Sequence, residues 1–220
     1  MMNEYNCKKI IFSSSASIYG EPEYLPIDEK HPIHPINPYG ETKYTCEMIL
    51  DDFDRTYQIK SVRLRYFNVV GADTLGRIGE WHEPETHLVP NILKSLIKPS
   101  TQFCIFGDDY PTPDGTCIRD YIDISDLIDA HIKAYNYLQK GGETCVLNLG
   151  SRAGNSIKEV LSICETVTKK PVKYSVYYRR SGDPVTLIAD NKKALEVLEW
   201  QPTRTLNDSI STAWIWENKI

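Results

Sequence analysis

The sequence predicts an α/β fold organised around a parallel sheet. Two observations carry this: short continuous apolar runs, and capped helical stretches that alternate with them along the 220 residues. Lys9-Ile10-Ile11-Phe12-Ser13 is the first such run, of the kind that suits a strand covered on both faces. Asn37-Pro38 then offers an N-cap followed by Pro at the first helical position. From there Tyr39, Lys43, Cys46, Leu50, Phe53 and Tyr57 recur at spacings of four and three, one stripe of a helix. The segments 61–68 and 102–106 read as the next strands. Residues 117–122 read as a strand leading into a helix capped by Ser125 and reaching about Leu138, and 145–149 as another strand. Ser156-Ile157-Lys158-Glu159 has the capping-box pattern and opens a helix to about Lys169. A Tyr-rich strand over 172–178, a helix after Asp190 and a Trp-bearing helix from about Asn207 complete an alternation that defines α/β architecture.

Composition narrows the function classes. Apolar residues at 41% and charged residues at 25% match a soluble globular chain. A net charge of −5 counts against nucleic acid as the main partner, because phosphate backbones select clustered Lys and Arg. No apolar run approaches the ~18–20 residues of a membrane helix, and the opening Met1-Met2-Asn3-Glu4-Tyr5-Asn6-Cys7-Lys8-Lys9 lacks the apolar stretch of a secretory signal. The six cysteines are scattered with no C-x-x-C pair. They are expected to be buried free thiols in a cytoplasmic protein rather than disulfides or zinc ligands.

An absence is equally informative. Dinucleotide sites open with a strand, a glycine-rich turn and a helix whose N-terminus holds the pyrophosphate. Here the first strand runs into Ser13-Ser14-Ser15. The clustered glycines Gly71, Gly76 and Gly79 have Arg77-Ile78 where a phosphate-binding P-loop needs Lys-Ser/Thr, so a plain flexible loop is expected there.

The residues that carry chemistry are Tyr39 and Lys43, which at i and i+4 project from one helix face. A tyrosine of ordinary pKa, ~10, is a poor base at neutral pH, and a neighbouring ammonium stabilises the phenolate. Ser15, at the end of the first strand, can hydrogen-bond the same substrate oxygen. Y-x-x-x-K alone is a common spacing, and its context decides. Ser13-Ser14-Ser15-Ala16-Ser17-Ile18-Tyr19-Gly20 and Asn37-Pro38-Tyr39-Gly40-Glu41-Thr42-Lys43 resemble the extended short-chain dehydrogenase/reductase family. The blocks Arg65-Tyr66-Phe67-Asn68-Val69-Val70-Gly71 and Phe106-Gly107-Asp108-Asp109-Tyr110-Pro111-Thr112-Pro113-Asp114-Gly115-Thr116-Cys117-Ile118-Arg119-Asp120-Tyr121 are similar to those of its members that epimerise UDP-hexoses at C4.

The resemblance implies the C-terminal part of a Rossmann-type parallel-sheet domain plus a small mixed α/β substrate domain. Residues 1–70 would be the remnant of the NAD-binding part, and 71–220 mainly the UDP-sugar part, with stretches near 115–140 returning to the first. It implies NAD as cofactor, with Tyr39 as base and acid at the sugar 4-hydroxyl, and Lys43 tuning Tyr39 and binding the nicotinamide ribose. Tyr66 and Phe67 would lie against the nicotinamide. Ser15, Ser17, Asn68, His87, Leu88 and Leu187 would contact the UDP-sugar. Phe106 would lie beside the uracil, Arg119 and Arg180 on the diphosphate, and Asp183 on the uridine ribose. Leu187 stands where some relatives carry a bulkier Tyr, so UDP-GlcNAc is an expected substrate beside UDP-glucose. Dehydratases of the family carry Asp-Glu where this sequence has Ala16-Ser17, which favours epimerisation. Residue types make a metal site from His82, Glu83, Glu85 and His87 conceivable, but the implied reaction needs no metal and none is expected.

The family's adenine and pyrophosphate site would lie upstream of Lys9. The chain alone is therefore expected to bind NAD⁺ poorly and to have negligible epimerase activity, with the first strand left as an open sheet edge. An internal start, a fragment completed by a partner chain and a decayed enzyme all stay open, as do a homodimer, a UDP-sugar-binding module without catalysis, and a related UDP-sugar decarboxylase or dehydratase.

Overall fold

The computed structural model describes residues 1–98 and 101–219. Its first sheet is parallel, in the order β1 (Lys9–Ser15), β2 (Lys60–Tyr66), β6 (Cys145–Leu149), with Ser15 level with Tyr66 and Tyr66 level with Leu149. β1 lies at the edge of this sheet. The second sheet centres on β5 (Ile118–Asp123), which runs parallel to β3 (Asn68–Val70) and β9 (Thr186–Leu187) and antiparallel to β7 (Gly154–Ser156). β4 (Phe103–Phe106) and β8 (Tyr174–Tyr177) form a separate parallel pair. Among the described residues six α-helices join these strands: α1 (Pro38–Tyr57), α2 (Leu88–Ile97), α3 (Ile124–Gln139), α4 (Ile157–Thr168), α5 (Lys192–Leu198) and α6 (Leu206–Glu217). The α/β expectation holds throughout. No helix among the described residues is long and apolar enough to cross a membrane.

Three apolar clusters hold the elements together. Val62 and Leu64 of β2 and Leu147 and Leu149 of β6 pack against Leu127, Ala130 and Ala134 of α3, with Trp200 fully buried beside them. The Trp200 indole N–H reaches the Asp126 carbonyl at 2.9 Å, so the large ring is buried without an orphaned donor. A second cluster joins α2, α4 and α6 over β4 through residues such as Ile92, Leu93, Ile105, Leu161 and Ile210. The third lies under the chain that leaves β1 and includes Ile18, Tyr19, Ile27, Phe67, Leu187 and Ala189.

Several expectations are corrected. The run 61–68 is two strands in two sheets, because the chain turns at Phe67, whose N–H donates to the Leu149 carbonyl at 3.1 Å. The cap of α3 is Asp123, whose carboxylate accepts the Ser125 N–H; Ser125 already lies inside the helix. The capping box at Ser156 and Glu159 and the cap at Asn37 with Pro38 following stand as expected. α2, β7 and β9 were not anticipated, the last two because they are only two or three residues long.

The stripe expected to seat α1 is not the seated face. Tyr39, Phe53 and Tyr57 are 40–52% exposed, while the buried positions are Gly40 and Glu47. β2 explains this through its alternation: Val62 and Leu64 pack into the α3 cluster, whereas Arg63 and Arg65, both buried, turn to α1. Arg63 donates to the Glu47 carbonyl at 3.2 Å and to Asp51 at 2.6 Å, and Arg65 pairs with the Glu47 carboxylate. α1 is therefore seated on ions rather than on an apolar stripe. All six cysteines are free as expected, but only Cys117 and Cys164 are buried. Cys46 and Cys7 are exposed, Cys46 because it lies on the unseated side of α1.

Candidate functional site

The carboxyl ends of β1 and β2 open on one crevice, the usual location of a ligand in an open parallel sheet. β1 delivers Ser15 there; its neighbour Ser14 turns instead to Glu47, and both are buried. Ser15 caps a single 3-10 turn, Ala16–Ile18, accepting the Ser17 N–H at 3.1 Å, and its hydroxyl lies 3.2 Å from that of Ser17. α1 begins against this turn. A Cβ on Gly40 would sit 2.4 Å from the Ser17 carbonyl oxygen, so only glycine lets the helix approach so closely.

That approach sets Tyr39 and Lys43. The Tyr39 ring is 52% exposed and lines the crevice. The Lys43 ammonium donates to the Ser13 carbonyl at 2.8 Å and lies 5.6 Å from the Tyr39 ring centre and 5.3 Å from that of Phe12. The two side chains share one face, as their spacing required, and the cation is anchored to β1 beneath the phenol.

The crevice opens into a cavity of about 740 Å³ lined by Ser15, Ser17, Tyr39, Tyr66, Phe67, Asn68, His87, Leu88 and Leu187 among others. Lys43 is not among the residues that line it. A neighbouring cavity of about 380 Å³ shares Asn68, His87 and Leu88 and adds Phe106, Arg119, Arg180 and Asp183. Every candidate but Lys43 thus lies on one of two cavities with a common wall. Within the second, the Arg180 guanidinium sits 3.9 Å over the Phe106 ring. Arg119, buried, pairs with Asp183 and donates to the Ile118 carbonyl at 2.9 Å. The two residues expected on diphosphate and ribose thus engage each other here. Burial pushes the Cys117 thiol up, so Cys117 is not a thiolate nucleophile at neutral pH.

Behind the site lies a buried polar network that residue patterns did not single out. Ser14 donates to Glu47 at 2.5 Å, Arg65 grips both Glu47 oxygens and donates to the Tyr19 hydroxyl at 2.9 Å, and Tyr19 donates to Asn148 at 2.7 Å. Burial raises the Tyr19 pKa to about 12, so the hydroxyl keeps its proton and its role as donor. The network joins β1, α1, β2 and β6. Its sequence signal is Glu47 four residues after Lys43 on the same helix face, opposite two arginines in a buried strand. Asp120, buried in β5, accepts from the Ser151, Arg152 and Ala189 N–H groups at 2.7–3.0 Å.

The His/Glu set near residue 85 has a different membership from the one read in the sequence. Glu80, His82, Glu85 and His87 cluster, and Glu83 is not among them. The His87 pKa is raised above its ordinary value, chiefly by its bond to Glu80.

Comparison with known proteins fits this geometry. A family model described as GDP-mannose 4,6 dehydratase matches residues 1–213. The chain belongs to the extended short-chain dehydrogenase/reductase family. Within the family it is 51% identical over 216 residues to a UDP-glucose 4-epimerase of Lactobacillus helveticus, covering 98% of this chain and 66% of that protein. It is 48% identical over 209 residues to a UDP-glucose 4-epimerase of Rhizobium leguminosarum bv. trifolii, covering 95% of this chain and 64% of that one. It superposes with a TM-score of 0.94 on the crystal structure of UDP-glucose 4-epimerase from Bifidobacterium longum in complex with NAD⁺ and UDP, at 38% identity, covering 99% of this chain and 66% of that one. The chain thus spans 64–66% of the length of these relatives. Family membership accounts for the Rossmann-like first sheet.

Proposed function

We propose that this protein, in a holoenzyme loaded with NAD, acts as a UDP-hexose 4-epimerase, interconverting UDP-glucose and UDP-galactose. The observation that carries the reading is the shared wall between the two cavities. It supports one ligand lying with its nucleotide end by Phe106 and Arg180 and its sugar end by Ser15 and Tyr39, over Asn68, His87 and Leu88.

The donor set fits a nicotinamide cofactor. A half-exposed phenol with an ammonium behind it stands at the strand ends beside the apolar Phe67. Tyr39, Lys43, Tyr66 and Phe67 would hold the nicotinamide end of NAD. When bound, NAD supplies the acceptor and later the donor for the hydride at C4. Tyr39 takes the proton of the 4-hydroxyl and returns it, and Ser15 holds the same oxygen. Arg119 and Arg180 grip the diphosphate, where a guanidinium fork matches phosphate oxygens. Asp183 exchanges its bond to Arg119 for one to the ribose. A firmly held UDP keeps the oxidised sugar in the site while the hexose turns to present its other face.

Calorimetric titration of the purified chain with UDP tests the nucleotide site. UDP is expected to bind, and Arg180→Ala to weaken binding about tenfold, the effect of losing one charge-assisted contact of about 1.5 kcal/mol. Absence of UDP binding to the folded chain overturns the reading.

Leu187 supports a wider sugar range. β9 pairs with β5 so that Leu187 sits level with Arg119 and lines the larger cavity. The holoenzyme is expected to turn over both UDP-GlcNAc and UDP-glucose, and Leu187→Tyr to reduce turnover of the N-acetylated substrate about tenfold by filling the space. Turnover of UDP-glucose alone by the unsubstituted enzyme refutes this.

A further inference from the structure

The loop between β3 and α2 carries the pattern Glu80-x-His82-x-x-Glu85-x-His87. One donor atom from each of the four residues lies within 4.8 Å of all the others. His82 Nδ1 stands 3.1 Å from Glu80 Oε1 and 3.6 Å from Glu85 Oε1. His87 Nδ1 touches the same Glu80 oxygen and lies 4.0 Å from the same Glu85 oxygen. Both imidazoles therefore turn the same ring nitrogen to the same two carboxylate oxygens, with their rings edge to face at 5.0 Å.

This convergence has the dimensions of a coordination sphere. A tetrahedral zinc-type ion with bonds of about 2.0–2.1 Å sets its ligand atoms about 3.3–3.4 Å apart. The separations straddle that value, and closing on an ion needs changes of about an ångström, made by rotamer adjustment of the side chains. Two imidazoles and two carboxylates are a ligand set that suits zinc among divalent ions.

The backbone is held for this purpose. The Trp216 indole N–H donates to the Glu80 carbonyl at 2.8 Å, and a Cβ on Gly79 would sit 2.4 Å from the Trp216 ring, so α6 clamps the start of the loop. Glu85 is oriented by the Thr86 and His87 N–H groups at 2.8 and 2.9 Å on Oε1 and by Lys94 at 3.1 Å on Oε2. Such outer contacts fix a ligating carboxylate.

We propose that Glu80, His82, Glu85 and His87 bind a divalent transition-metal ion of the zinc type on the wall of the sugar cavity. Cobalt(II) is the direct probe, because a tetrahedral nitrogen and oxygen sphere gives it an intense visible absorption that an octahedral aquo ion lacks. The titration uses the chain with Cys7→Ser and Cys46→Ser, which removes the exposed thiols as competing ligands. One cobalt per chain is expected, with the tetrahedral spectrum displaced by added zinc, and with binding at least tenfold weaker in both His82→Ala and Glu80→Gln. Circular dichroism of the metal-free variants checks that they fold. Should Glu80→Gln unfold, His82→Ala still decides, since the His82 side chain is 49% exposed. A pale octahedral spectrum, or affinity unchanged in folded His82→Ala, overturns the proposal. The titration contains neither nucleotide nor NAD, so its outcome is independent of the epimerase reading.

Discussion

Tyr39→Phe in the NAD-loaded holoenzyme is expected to lower kcat for UDP-galactose by about 10²- to 10⁴-fold, the range for removing a general acid–base group. The substitution keeps the ring and removes the proton carrier. The ring is half exposed and its packing role is small, so stability should not move. UDP affinity should not move either, because Phe106, Arg180, Arg119 and Asp183 lie on the other cavity. The loss therefore falls on kcat with the nucleotide dissociation constant unchanged, a split that global damage to the fold would not produce. A fall of less than tenfold would remove Tyr39 from the reaction. Lys43→Met separates the second role: its ammonium is tied to the Ser13 carbonyl behind the phenol. Its loss should displace the pH–rate profile as well as reduce the rate.

The elements that were readable in the sequence were those with local signals. The capping box at Ser156 and Glu159, the Asn37-Pro38 start and the apolar run after Lys9 each depend on neighbours within a few residues, and each is where the sequence put it. The Tyr39–Lys43 geometry was readable for the same reason, since i and i+4 on a helix fix it. What escaped depends on partners far along the chain. The seated face of α1 could not be found by counting apolar residues, because its partners are Arg63 and Arg65 of β2. The division at Phe67 is set by a bond to Leu149, 82 residues away. β9 has only two residues and exists because β5 offers it a ladder. Glu80 joined the His/Glu cluster in place of Glu83 because Trp216, from the last helix, holds its backbone.

The same long-range ionic seat predicts the largest stability effect. Glu47→Ala is expected to destabilise the fold by about 3–5 kcal/mol, the usual result of removing one partner of a buried ion pair. The Arg65 and Glu47 side chains are only 4% and 2% exposed. Burial opposes the Arg65 charge, yet Glu47 and Tyr19 hold its pKa above the ordinary value. Without Glu47 the guanidinium would keep its charge and lose its counter-ion in a dry site, and Ser14 would lose its acceptor. Urea unfolding of the purified chain measures this. With a slope of about 2 kcal/mol per molar, the midpoint should fall by about 1.5–2.5 M, and a shift below 0.5 M or so on that scale would mean that water replaces the carboxylate without penalty. Replacing both partners, as in Glu47→Met with Arg65→Met, should cost less than Glu47→Ala alone, because no buried charge is then left unpaired. Tyr39 rides on the helix that Glu47 seats, and Ser15 follows Ser14, which donates to it. A protein weakened at Glu47 should therefore also place its phenol and serine less well, so its kcat should fall even below the temperature at which it unfolds.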